Sequence, residues 1–362
     1  MQCIVIGISP ISSQREEGVL KNKLTEQLTG VDGSLITWVS NSVAVEEGIH
    51  TQLFSCITDA NVDEVVTAVK DTLPREYTCE LWGSAPAILP LRPPEGYNRH
   101  LFCGDTMLFD HWACVTMKEW GMFVQNGILL SDELVLLRQT VLNEIDKTER
   151  LLKMHHPDIS IGQDIISFKE IASRGNERFD LLLPPSSTAC QFVSDVIKPR
   201  ISHVLDNILG NDIDCDVSVV YSRPRATNQG WHADGDHQRG ANDAGMEVDG
   251  WRTSLSEPYA LCIFIPLIDL DDITGFTQFW PASHRNKDLA GFGPFAEIAE
   301  ATFDGKCKAG SAIWYDYRLM HRGIENTSTI LRPVLQLLFR RTWYIEKRNY
   351  GNISMISNTA MP

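Results

Sequence analysis

From Cys215 onward the chain breaks into short runs rich in Val, Ile, Phe, Trp and Thr, at residues 216–222, 259–267, 277–280, 311–315 and 332–343, with turn-forming residues between them. Runs of that length at that spacing bury themselves only by pairing into sheets that pack face to face, so they predict a β-sandwich or jelly roll. Hydrophobic residues make up 43% of the 362 and charged residues 22%, enough apolar surface to close such a core. Between 236 and 258 lies a polar Gly- and Asp-rich stretch without periodicity, and a loop that long in a compact domain is often functional.

The first part of the chain has a different texture. An apolar β-branched run (2–9), a helical spacing (13–28), two strand-like runs (34–40 and 52–58), a helix over 61–73 capped by Asn61 or Asp63, and a strand over 77–82 follow one another. The order β-α-β-β-α-β is that of a ferredoxin-like domain. Residues 85–97 carry Pro86, Pro90, Pro93 and Pro94, too many for a strand or helix interior, and mark the join. Leucines and valines at helical intervals then predict long amphipathic helices over 131–152 and 192–209. The fold class expected is α+β: a small N-terminal α/β domain (1–95), a linker (96–116) and a jelly-roll, or double-stranded β-helix, domain with flanking helices (117–362).

Thirty-two basic against 47 acidic residues leave a net charge of −15, which repels polyanions and disfavours nucleic acid and anionic membranes as partners. Nine cysteines are scattered singly and read as reduced thiols rather than a disulfide framework. The N-terminus lacks the basic region and long apolar stretch of a signal peptide or membrane span, so a cytoplasmic protein is expected.

In Gln229-Gly230-Trp231-His232-Ala233-Asp234, the His and Asp stand two apart, and in an extended chain alternate side chains share one face, so both can reach one metal. On spacing alone such a pair is more often solvated sequence than a site. A third ligand can come from His321, which follows a predicted strand at 310–316; two histidines and a carboxylate leave three positions open on octahedral iron(II), suited to a bidentate keto acid and dioxygen. Arg332 stands at the mouth of an apolar run, where an inward-pointing guanidinium requires an anionic partner and matches a carboxylate bidentately.

Three elements in order, His232-x-Asp234, Gly275-Phe276-Thr277-Gln278-Phe279-Trp280-Pro281-Ala282-Ser283-His284-Arg285, and His321-Arg322-Gly323-Ile324-Glu325-Asn326-Thr327-Ser328 followed by Arg332, resemble the phytanoyl-CoA hydroxylase family of iron(II)/2-oxoglutarate oxygenases over about residues 117–345. The resemblance implies a double-stranded β-helix, iron held by His232, Asp234 and His321, and Arg332 on the distal carboxylate of 2-oxoglutarate, with Gln229, Gly323 and Thr277 beside it. It further implies that dioxygen is consumed and succinate and carbon dioxide released as an unactivated C–H bond of a small molecule is oxidised, by hydroxylation or by desaturation or ring closure. Family members often carry a small hydroxyl residue where this chain has Gly323, and Pro-Gly-Ser-His where it has Pro281-Ala282-Ser283-His284. Halogenases of this type replace the carboxylate with a small residue, so Asp234 disfavours halogenation.

Tyr221, Arg223, Arg225, Trp231, Trp251 and Arg252 are the substrate-pocket candidates, and the arginines among them hint at a carboxylated or phosphorylated substrate. Asp236 and His237 extend the first motif but fall where the strand should give way to the loop, so a solvated or supporting role is favoured. His284 reads as a turn residue, and His155 and His156 as exposed. Two other functions stay open: a jelly-roll binding module without turnover, and an oxygenase for a protein side chain, to which an acidic surface could draw a basic partner.

Overall fold

The computed structural model describes residues 2–9, 24, 37–46, 49–58, 61–74, 77–86, 102–103, 109–235, 247–248, 251–252, 257–285, 289, 292–298, 300–346 and 349–356. Apart from Leu24, which is helical and buried, the helix expected over 13–28 lies outside these residues, as do most of the 236–258 loop with Asp236 and His237 and the proline-rich stretch beyond Pro86.

At the N-terminus β1 (Gln2–Ser9), β2 (Thr37–Glu46), β3 (Ile49–Thr58) and β4 (Thr78–Pro86) form an antiparallel sheet in the order β2-β3-β1-β4, with helix α1 (Val62–Thr72) between β3 and β4. Asn61 caps α1, its side chain accepting from Asp63 N at 2.8 Å. Val65 and Val69, one helical turn apart, pack with Ile6 and Ile8 of β1.

The remaining elements are β5 (Phe102–Cys103), α2 (Phe109–Trp120), β6 (Met122–Gln125), α3 (Ser131–His155), β7 (Ile171–Ser173), β8 (Arg178–Leu182), α4 (Thr188–Phe192), α5 (Lys198–Leu209), β9 (Ile213–Ser222), β10 (Glu247–Val248), β11 (Trp251–Arg252), β12 (Ala260–Pro266), β13 (Thr277–Phe279), α6 (Gly293–Ile298), β14 (Phe303–Asp304), β15 (Ala312–Asp316), β16 (His321–Gly323) and β17 (Arg332–Arg341). Eight strands make the major sheet, β5-β6-β15-β12-β17-β9-β8-β7, and β14-β13-β16 make a minor sheet facing it: a jelly-roll core. The stretch 96–116, expected as a linker, contributes β5 to the major sheet and the opening turns of α2.

Parity along the strands sorts the core into two layers. Val217, Val219 and Tyr221 of β9, Leu335, Leu337 and Phe339 of β17, and Leu261, Ile263 and Ile265 of β12 pack against the helices, where α3 offers the stripe Leu137, Val141, Ile145 and Leu152. The alternate residues face the minor sheet. Because both faces are covered, β12 is buried along its whole length, which is why it reads as an unbroken apolar run. The helix expected over 192–209 is one helical stretch with a π-turn at Val193–Ile197. Pro199, at the start of α5, lacks the N–H and crowds the preceding turn, which widens to accommodate it.

Residues 349–356 are tied back against the core. Lys169 N donates to Ile353 O, Gly351 N donates to Phe168 O, and Met355 is buried. His156, expected to be exposed, stacks on Phe168 and places Nε2 at 2.8 Å from Met355 O, so it clasps this C-terminal strap.

His284 lies in the turn at Ser283–Arg285, buried, with Nε2 3.3 Å from Lys118 O. Before it, Ala282 has φ +68°, a left-handed conformation that strains any residue with a Cβ and that glycine adopts freely. The turn is kept because Ala282 N donates to Trp120 O and Ser283 Oγ accepts from Met320 N. Ala282→Gly is therefore expected to stabilise the protein by about 0.5–1 kcal/mol, the relieved strain exceeding the lost chain stiffness; an unchanged or lower denaturant midpoint would contradict this.

Candidate metal centre

His232 and Asp234 come from the strand-like segment after β9, and His321 opens β16. His232 and His321 exchange backbone hydrogen bonds (N to O 2.9 and 2.8 Å), which adds His232 to the edge of the minor sheet and brings the two imidazoles to 4.5 Å between centroids. His321 Nε2 lies 3.6 Å from Asp234 Oδ2 and His232 Nε2 lies 3.9 Å from Asp234 Oδ1; the three ligand atoms fall within 4.8 Å of one another.

Each imidazole is held through its other nitrogen. His232 Nδ1 is 2.8 Å from Gly230 O and His321 Nδ1 is 2.9 Å from Leu319 O, so Nδ1 carries the proton and Nε2 keeps its lone pair. Burial, helped by the neighbouring His321, pushes the His232 pKa down to about 4 against the pull of Asp234, leaving the ring neutral and able to ligate at neutral pH. Two imidazoles presenting Nε2 and one carboxylate fit a divalent iron with open positions.

The register of the minor sheet decides what else faces this centre. Phe279 pairs with His321 and Thr277 with Gly323, so their side chains share the inward face, whereas Gln278 and Arg322 point outward. Gln229, Thr277, Gly323 and Arg332, all expected at the co-substrate, line one cavity with the triad. Arg332 is buried; Nη1 donates to Thr274 O and Ile324 O and Nη2 to Ser222 Oγ, with no carboxylate partner among the described residues. Gly275 fits tightly behind it: a Cβ there would stand 2.1 Å from Glu325 O and 2.3 Å from Arg332 Nη1.

Arg178 of β8, not singled out from the sequence, lies beside Arg332. Its Nη2 donates to Thr227 O and Ile324 O, but Nε is buried without a partner. Burial and the charge of Arg332 hold the Arg178 pKa well below its ordinary value, and burial lowers Arg332 to about 10. Two adjacent buried cations with no anion beside them among the described residues form a cradle suited to a carboxylate. The glycine at 323 follows from this: a Cβ there would come within 2.3 Å of Arg178 Nη1 and 2.4 Å of Gln229 Oε1, so the guanidinium takes the space a side chain would need. Gln229 Oε1 accepts from Gly323 N and its Nε2 donates to Arg174 O.

The substrate-pocket candidates fare differently. Tyr221 faces the helix layer, fully buried, with its hydroxyl on Glu149 of α3 at 3.0 Å. Trp231 lies on the outer side of the minor sheet, where its Nε1 donates to Glu297 and Arg322 lies over its ring. Arg223 pairs with Glu177 at 3.2 Å, and Arg225 is exposed at φ +72°; neither lines the cavity. Trp251 and Arg252 form part of the short β10–β11 hairpin, and their side chains fall outside the described residues. Arg174, Asp180 and Asn349 occupy the cavity wall instead. Arg174 Nη2 binds Asp180 and the Asn349 backbone oxygen, and Asp180 also accepts from Tyr350, which joins the wall to the C-terminal strap.

This jelly roll, with a two-histidine, one-carboxylate cluster and a buried arginine cradle in one cavity, places the protein among the iron(II)- and 2-oxoglutarate-dependent oxygenases. The family model described as phytanoyl-CoA dioxygenase (PhyH) matches residues 142–334, just over half of the chain, and the protein belongs to that family. Solved structures similar to it include AviO1 from Streptomyces viridochromogenes Tue57 (16% identity, 66% of this chain and 97% of that one, TM-score 0.45). Others are EctD from S. alaskensis in its apoform (16%, 74% and 89%, 0.46) and EvdO2 from Micromonospora carbonacea var. aurantiaca complexed with 2-oxoglutarate (14%, 69% and 96%, 0.44). Among the described residues no helix is long and apolar enough to cross a membrane.

Proposed function

We propose that this oxygenase oxidises an unactivated C–H bond of a small molecule, with His232, Asp234 and His321 as its iron ligands and Arg332 and Arg178 together receiving the distal carboxylate of 2-oxoglutarate. The observation that carries the assignment is the meeting, in one cavity, of three ligand atoms within 4.8 Å and two buried guanidiniums with no carboxylate partner among the described residues. Bound there, iron(II) with 2-oxoglutarate and dioxygen supplies the oxidant for the C–H bond and releases succinate and carbon dioxide. The chain's own part is positional: backbone carbonyls of Gly230 and Leu319 fix the imidazoles, the arginine cradle fixes one end of the keto acid, and Gln229 and Thr277 close its flank. Hydroxylation, desaturation and ring closure share this machinery and differ in the fate of the substrate after the C–H bond breaks.

The wall formed by Arg174, Asp180 and Asn349 is assigned to the substrate, whose polar groups it would meet; a small molecule suits a cavity bounded by the C-terminal strap. The N-terminal region, by its strand order β2-β3-β1-β4 and the helix before β4, is read as a ferredoxin-like domain joined to the oxygenase domain near residues 96–116.

The test is anaerobic titration of the apo-protein with iron(II) and then 2-oxoglutarate, followed by the weak visible charge-transfer band of the chelate, beside a His232→Ala control. A band that needs both additions and vanishes in the variant supports the assignment. Folded, metal-loaded protein without a band would sink it and leave the binding-module alternative.

A further inference from the structure

The triad explains which atoms can hold iron but leaves open how a carboxylate, with two oxygens, is kept to one coordination position. The three open positions of a facial site are needed for the two atoms of the keto acid and for dioxygen, so a bidentate Asp234 would close one of them. Behind Asp234 stands Tyr315 of β15, fully buried, whose hydroxyl donates to Asp234 Oδ2 at 3.1 Å. Aromatic neighbours fix its ring on three sides: Phe264 at 5.0 Å, Phe279 at 5.3 Å and His321 at 5.0 Å between centroids. Cys262 pairs with Tyr315 across β12 and β15, and Gln336 Nε2 donates to its sulfur at 3.5 Å. A line of polar groups therefore runs from the cavity wall at Gln336 to the carboxylate.

We propose that Tyr315 is a positioning residue that holds Asp234 Oδ2 by its hydroxyl, leaving Oδ1 as the atom offered to iron and keeping the carboxylate monodentate. This rests on the ligand assignment made above. Oδ2, 3.6 Å from His321 Nε2, already accepts the Tyr315 hydrogen bond, whereas Oδ1, 3.9 Å from His232 Nε2, has no protein donor among the described residues and keeps its lone pairs for a metal. A phenol suits the task because a rigid ring anchored by three aromatic contacts cannot swing its hydroxyl away. The supporting partners of metal-binding groups typically change metal affinity by about 10–100-fold when removed.

The experiment compares wild type, Tyr315→Phe, and protein carrying 3-fluorotyrosine at position 315, which preserves the packing but donates a stronger hydrogen bond. Iron(II) affinity is measured anaerobically, and the position and intensity of the visible band are read after adding 2-oxoglutarate. Tyr315→Phe is expected to weaken iron(II) binding by about tenfold and to shift the band, and 3-fluorotyrosine is expected to shift it in the opposite direction. A residue that merely fills space would lower the melting temperature on substitution and leave the band where it was. Wild-type affinity and an unmoved band in both altered proteins would overturn the proposal. Should Tyr315→Phe fail to fold, the 3-fluorotyrosine shift alone decides the matter. Absence of any band in the wild type would instead remove the ligand assignment, and this inference with it.

Discussion

Asp316→Asn is expected to destabilise the protein by about 3–5 kcal/mol. Asp316 and Arg318 are both buried, at 0% and 2% exposure. The carboxylate accepts from Arg318 N at 2.9 Å, Nε at 2.8 Å and Nη2 at 2.7 Å. Burial pushes the Asp316 carboxyl up, but the charge and hydrogen bonds of Arg318 outweigh it, and the group sits below its usual value. Asparagine would preserve the shape while removing the negative charge that faces the buried guanidinium, and breaking a buried ion pair from one side is costly. The double change Asp316→Leu with Arg318→Met should cost less than Asp316→Asn, because it removes both charges at once. Equilibrium denaturation of the three proteins checks this; a double variant less stable than the single would show that packing, not charge compensation, dominates. The pair matters to the site because it shapes the 316–320 turn. Leu319 O, which orients His321, and Met320 N, which is held by Ser283, both lie in that turn. Asp316→Asn should therefore also weaken iron(II) binding in the fraction that remains folded.

How much of this could be read from the chain depended on whether a residue's environment left a local trace. The triad was legible because an extended segment puts positions 232 and 234 on one face, and Arg332 because a guanidinium among apolar strand residues needs a reason. Tyr221 and Trp231 were misplaced by a single position. Ser222 and His232, their neighbours, face the cavity, and in a strand that one step sends the intervening side chain to the opposite side of the sheet. Proximity along the chain therefore says little about who shares a pocket unless parity is counted.

Arg178 was missed for a related reason. In Arg178-Phe179-Asp180-Leu181 charged and apolar residues alternate, a pattern that normally means a strand with one face in water. Here the apolar face meets the helices and the charged face meets the cavity, so the same alternation encodes a polar interior. Nothing within β8 distinguishes the two cases; the difference lies in the minor sheet, built from residues 277–279, 303–304 and 321–323 far along the chain. The strap contacts of His156 were illegible on the same ground, since its partner Met355 is 199 residues away.

The arginine cradle yields the second large effect, with opposite signs for stability and for binding. Arg332→Met should raise the dissociation constant for 2-oxoglutarate by roughly a hundredfold or more, as expected when one partner of a buried charge pair is truncated. Arg178→Met should raise it by roughly tenfold, because Arg332, held by Thr274, Ile324 and Ser222, remains to meet the carboxylate proposed to bind there. Without ligand the two guanidiniums repel each other in a buried space, and Arg178 Nε goes unpaired. Arg178→Met, whose side chain has similar reach and no charge, should therefore make the ligand-free protein about 1–2 kcal/mol more stable. Anaerobic titration and ligand-free denaturation of the same variant read the two effects separately. A variant that binds 2-oxoglutarate like the wild type and unfolds more easily would make Arg178 a brace between Thr227 and Ile324 rather than part of the cradle. Weaker binding in a more stable protein is the signature of a site that stores unfavourable electrostatics until its anion arrives, and here it would also account for Gly323, since only a residue without a side chain leaves Arg178 room to stand there.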